Sequence, residues 1–116
     1  MNLYHIWCDL KEGVSDLDFV EALQGYLGAL EEDGLLEGYR ITRRKLGLGA
    51  PGLGDFHIVL EFNDLAQLDE AFNHVATRTD PIESFHHAVN SKVQNLTFAL
   101  YRDFPDEVRE TGEERF

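Results

Sequence analysis

The chain has 116 residues, a formal net charge of −12 and a pI of about 4.6. A chain of this length forms one domain and can bury about two-thirds of its unfolded surface without a disulfide or metal staple. The acidity argues against nucleic acid and anionic membrane as partners, since both require basic patches. No apolar run is long enough to span a bilayer and no signal segment opens the sequence, so the expected location is cytoplasmic.

The opening stretch Asn2–Leu10 alternates with period two, as a half-buried strand does. Tyr4, Ile6, Cys8 and Leu10 share one face; Leu3, His5, Trp7 and Asp9 share the other. The single cysteine, Cys8, cannot form an internal disulfide, and its place on the apolar face marks it as a buried, inert thiol. Lys11-Glu12-Gly13 turns the chain, and Ser15, with Asp18 three residues on, caps a helix. Phe19, Val20, Leu23, Tyr26, Leu27 and Leu30 form its apolar stripe, and Gly34 ends it. Gly25 and Gly28 lie inside this helix at a cost of about 1 kcal/mol each, and close packing on a sheet would account for them.

Leu36–Leu48 reads as a second strand carrying Arg40, Arg43, Arg44 and Lys45. A glycine-rich loop follows and contains Gly47-x-Gly49-x-x-Gly52. A strand rather than a helix comes next and Pro51 interrupts it, which excludes a dinucleotide site and leaves a pocket flap as an option. Asp55–Phe62 is the third strand: Phe56, Ile58, Leu60 and Phe62 on one face; His57, Val59 and Glu61 on the other. Asp64 with Gln67 caps a second helix, which Thr79-Asp80-Pro81 breaks. Asp80 as cap and Pro81 at the first helical position restart a short helix to about Asn90, with His86 on its inward stripe and His87 outward. Gln94–Arg102 is the last strand, with Leu96, Phe98 and Leu100 opposite Thr97, Ala99 and Tyr101. Residues 1–105 form the domain, and 106–116 read as a charged, loose tail.

The order strand, helix, strand, strand, broken helix, strand gives an α+β, ferredoxin-like βαββαβ fold: a four-stranded antiparallel sheet with helices on one face. The first and third strands are expected as central neighbours, running parallel, with His5 and His57 on one face. Leu3, Trp7, Val59 and Tyr101 then stand on the face that no helix covers, which predicts a homodimer through that face.

At this point the chain resembles the dimeric α+β barrel superfamily, in particular its stress-responsive and polyketide-cyclase-like members. Tyr4-His5-Ile6-Trp7 and Phe56-His57-Ile58-Val59-Leu60-Glu61-Phe62, followed by Asn63-Asp64, carry the resemblance. It implies that two sheets pack by their uncovered faces into a barrel and that ligands bind inside each half. It also implies that His5 and His57 match pocket histidines of the olivetolic acid cyclase-like members. Those members carry a catalytic histidine in a His-Pro-x-x-His segment; here the segment is Asp80-Pro81-Ile82-Glu83-Ser84-Phe85-His86, with Asp80 in place of the first histidine and a longer spacing.

Candidate catalytic residues are therefore His57, His5 and His86, since imidazole titrates near neutral pH. Candidate ligand-binding residues are Trp7, Arg40, Arg44, Glu61 and Tyr101. Tyr39, Ile41 and Arg43 share the core face of their strand, which places Arg40, Thr42 and Arg44 beside His57 and Glu61 and predicts an acidic ligand. His5, His57, Glu61 and Asp9 on one face suit a metal by donor type, but no spacing signature supports one. No metal or cofactor is expected. Two functions follow: a cofactor-independent cyclase-, isomerase- or monooxygenase-like enzyme on a hydrophobic anionic compound, or a non-catalytic dimeric ligand-binding or stress-related protein.

Overall fold

The structure is a computed structural model and describes residues 1–105; the expected loose tail lies outside the described residues. The elements are β1 (Asn2–Leu10), α1 (Asp16–Glu32), β2 (Gly38–Arg43), β3 (Phe56–Phe62), α2 (Leu65–Ala76), α3 (Ile82–Asn90) and β4 (Val93–Arg102). They form one sheet in the order β2-β3-β1-β4, in which every neighbouring pair is antiparallel. This is the ferredoxin-like α+β topology. The expected parallel pairing of β1 with β3 is corrected. The helical crossover makes β2 run with β1, and the β2–β3 connection then reverses the chain, so β3 runs against β1.

The alternation sorts the two faces. Cys8, Phe56, Ile58, Leu60 and Phe62 are buried under Phe19, Leu23, Leu27 and Leu30 of α1, with Ala71 of α2 and Ile82 of α3. Cys8 is in this core and only 1% exposed, and burial pushes its thiol up to about 11. Ser15 Oγ accepts the Asp18 N–H and Asp64 Oδ1 accepts the Gln67 N–H, so both predicted caps close free helix donors. Gln67 also donates to the Gly34 carbonyl, tying the start of α2 to the end of α1. Gly34 takes φ +73°, where a side chain would be strained.

Three local expectations change. β2 is shorter than Leu36–Leu48: Leu46 and Gly47 both have positive φ, which bends the chain away from the sheet. The third helix begins at Ile82, one residue later than expected, and Asp80 Oδ1 instead accepts the Ser84 N–H and hydroxyl. Gly25 meets the Phe85 ring of α3 rather than the sheet, and nothing lies within 4 Å of Gly28 on its Cβ side. The glycine-rich loop folds against the end of β1, where a Cβ on Gly54 would collide with the Cys8 backbone. Among the described residues, no helix is long and apolar enough to cross a membrane.

Candidate functional site

Among the described residues, both faces of the sheet bring chemistry-bearing side chains together. On the face that no described helix covers, Trp7 lies opposite His57 and His5 opposite Val59, so the two histidines are diagonal neighbours. His5 Nδ1 is 2.9 Å from His57 Nε2, and the ring centroids are 5.1 Å apart with planes 10° from parallel. That separation equals a hydrogen bond plus two ring radii, so the imidazoles lie end to end and share an N–H···N bond rather than stack. His57 does stack on Trp7, with centroids 4.6 Å apart and planes 3° apart. The edge of Tyr101 meets the His5 ring at 5.0 Å.

Burial lowers the pKa of both histidines, and for His57 the charge of His5 adds to it. A first added proton leaves one donor and one acceptor; a second sets two donors against each other. With folded values below the unfolded 6.5, these groups bind protons more readily in the unfolded chain. Their contribution to stability is present above 6.5 and lost as pH falls through the lowered folded values. Melting temperature should therefore drop on acidification below that point, and drop less in His57→Gln; scanning calorimetry that finds equal drops would refute the coupling. Asp9 behaves differently. Its carboxyl is lowered by the Asp55 N–H and the Asn95 amide, so its contribution is lost only at more acid pH.

The remaining predicted residues of this face are dispersed. Glu61 stands opposite Leu3 and reaches over Gly38, while Arg40 is exposed opposite Val59. Arg44 is not beside His57 and Glu61. It follows the end of β2, donates to the Leu53 carbonyl at 2.6 Å and pairs with Asp55 at 3.6 Å, anchoring the glycine-rich loop. Arg43 lies on the helix side and pairs with Asp16 at 2.9 Å. Among the described residues, no group of three His, Cys, Asp or Glu side chains is placed to hold a metal ion.

On the helix side lies a cavity of about 360 Å³ between the sheet and the three helices. Tyr4, Ile6, Ile58 and Leu60 form its floor; Leu23, Tyr26, Phe72, Val75, His86 and Val89 form its roof, and Leu96 and Phe98 its β4 side. Leu96, Phe98 and Leu100 face the helices yet remain 43%, 53% and 52% exposed, so the cavity opens along this edge strand. Among the described residues, no Asp, Glu, Lys or Arg lines it. No residue of the glycine-rich loop lines it either, so the loop is not its flap. His86 is the one predicted catalytic residue that reaches this cavity; His5, His57, Trp7 and Tyr101 face the other way.

His86 meets a partner that the sequence reading assigned to the core, Tyr26, with ring centroids 5.5 Å apart. Burial, then the nearby Glu83 and Tyr4, pushes the Tyr26 hydroxyl up to about 12, so it is a phenol at neutral pH. Burial also raises Tyr4, which packs edge-on against Phe72 and face-on against Phe98. The missed signal was that a tyrosine on an apolar stripe brings a hydroxyl that requires a partner.

A family of unknown function, DUF6614, matches the whole chain, residues 1–116. The chain belongs to that family. No curated protein matches this DUF6614 member. Solved structures do match it. The Arabidopsis thaliana protein At3g17210 is 13% identical with a TM-score of 0.71, over 93% of this chain and 100% of that one. The Streptomyces nogalater protein SnoaB (an N63A mutant), a cofactor-independent oxygenase, is 6% identical with a TM-score of 0.68, over 93% and 97%. A dimeric ferredoxin-like protein from Jannaschia sp. is 14% identical with a TM-score of 0.64, over 89% and 100%. At these identities the likeness is one of fold, and it agrees with the ferredoxin-like architecture of the DUF6614 chain.

Proposed function

We propose that this DUF6614 protein is a homodimer that binds a small hydrophobic molecule between its sheet and helices. The cavity carries the reading: about 360 Å³ lies within the range of roughly 300–1,000 Å³ that small-molecule sites occupy, with an apolar lining and few polar groups. The dimer is supported by the uncovered face, where Leu3, Trp7, Val59 and Tyr101 form an apolar patch around the histidine pair. The Jannaschia protein of the same fold is dimeric, which fits.

A second reading has one observation in its favour. His86 and Tyr26 set an imidazole beside a phenol at the cavity, the groups that acid–base chemistry without a cofactor needs. SnoaB, of the same fold, is a cofactor-independent oxygenase. Asp80 and the longer spacing to His86 weigh toward binding without turnover, and turnover lost in His86→Gln would decide for the enzyme.

Isothermal calorimetry with alkylbenzenes and alkylphenols tests the binding reading. Saturable binding is expected, and Val75→Trp should abolish it by filling the cavity while the fold melts normally. Arg40→Gln should leave it unchanged, because Arg40 stands on the opposite face of the sheet. Binding unaffected by Val75→Trp would move the site elsewhere.

A further inference from the structure

Resting on the cavity-binding reading, we infer that the ligand is uncharged and carries one hydrogen-bonding group, a hydroxyl or carbonyl, placed at the Tyr26–His86 end of the cavity. Charge is excluded first. Among the described residues, Tyr26, His86, Tyr4 and Asn90 are the polar side chains that line a wall otherwise made of hydrocarbon, aromatic ring and the Cys8 thiol. An anion entering it would lose hydration and meet no Lys or Arg among the described residues. Arg40 is on the far face of the sheet, and the guanidinium of Arg44 is engaged by Leu53 and Asp55 at the loop. A negative charge stands near the polar end: Glu83 is close enough to raise Tyr26. A cation gains nothing better, since among the described residues no carboxylate lines the wall. The acidic ligand expected from the arginines therefore does not suit this cavity.

A purely hydrocarbon ligand is excluded by the other end of the argument. Among the described residues, neither the Tyr26 hydroxyl nor the His86 ring makes a hydrogen bond to a protein group. Buried polar groups are paired in folded proteins, and a hydrocarbon guest would shut these two away from water without a partner. Tyr26 remains a donor at neutral pH, and the His86 ring carries at least one N–H donor. A hydroxyl or carbonyl oxygen can accept from Tyr26 and bond to His86 at once. Tyr4 lies between Phe72 and Phe98 near the open side and gives the apolar body of the ligand an aromatic wall.

The test compares three probes of one shape on the full chain by calorimetry at neutral pH: hexylbenzene, para-hexylphenol and para-hexylbenzoate. The phenol should bind about tenfold or more tighter than either of the others, the scale of one net hydrogen bond and of an unpaired buried charge. Tyr26→Phe combined with His86→Leu should bring phenol and hexylbenzene to within about twofold of each other, since the hydrogen bonds that separated them are gone. Benzoate binding as tightly as phenol would overturn the inference and leave the cavity reading standing, as would hexylbenzene binding as tightly as phenol. An undiminished preference for phenol in the double variant would overturn the Tyr26–His86 assignment. Failure of all three probes to bind would overturn the inference together with the cavity reading.

Discussion

Phe56→Ala should lower the unfolding free energy by about 3–5 kcal/mol, whereas His57→Ala, one residue along the same strand, should cost about 1 kcal/mol. Phe56 is 6% exposed, and its ring meets Phe19 edge-on, with centroids 5.0 Å apart and planes 70° apart. Phe19 is itself 1% exposed, so α1 and β3 are locked together at this contact. Truncating the ring leaves a void that α1 cannot collapse into, because Leu23, Leu27 and Leu30 hold it further along the same stripe. His57 gives up a hydrogen bond to His5 and a stack on Trp7, both on a half-exposed face. Urea unfolding of the two variants at matched concentration measures the difference. Costs in the reverse order would mean that the strand register is wrong by one residue, since a one-residue slip exchanges the faces.

That comparison turns on the feature most legible in the sequence. The alternation of Asn2–Leu10 and Asp55–Phe62 reports burial directly, because a strand sends successive side chains to opposite faces. The order of strands and helices then leaves few right-handed arrangements, and the ferredoxin-like sheet is one of them. Alternation also puts His5 and His57 on one face, but their diagonal contact comes from the antiparallel register of β1 and β3, which alternation leaves open. A change of direction leaves the face of each residue unchanged, so the shared face of His5 and His57 is common to both arrangements.

The cavity was illegible for a physical reason. Its lining, Tyr26, Phe72, Val75 and Phe98 among it, consists of the same apolar stripes that mark a core, and periodicity cannot tell a filled core from one with space in it. Whether space remains depends on how closely α2 and α3 approach β4, and that is set by three-dimensional packing. Arg44 failed for a related reason. Alternation holds only while the strand lasts, and β2 ends at Arg43. Beyond it the loop hydrogen bonds to Leu53 and Asp55 decide where the guanidinium goes.

Trp7→Ala should turn the proposed dimer into a monomer at micromolar concentration. Trp7 is the largest side chain of the histidine face, and within its own chain its ring lies parallel to His57 and His5. Buried tryptophans at interface centres commonly cost about 2–4 kcal/mol when truncated, or roughly 30- to 1,000-fold in dissociation constant. The loss should be specific to association, because Trp7 contributes nothing to the helix-covered core. Trp7→Phe keeps an aromatic ring over His57 and should remain dimeric, separating lost packing from any disturbance of the histidine pair. Light scattering reads the result directly: twice the 13.2 kDa chain mass for wild type and Trp7→Phe, and the single-chain mass for Trp7→Ala. A wild-type monomer would refute the dimer, and a dimeric Trp7→Ala would move the interface off this face. In either case the cavity remains a separate question, because it lies on the other side of the sheet and no residue of the Trp7 cluster lines it.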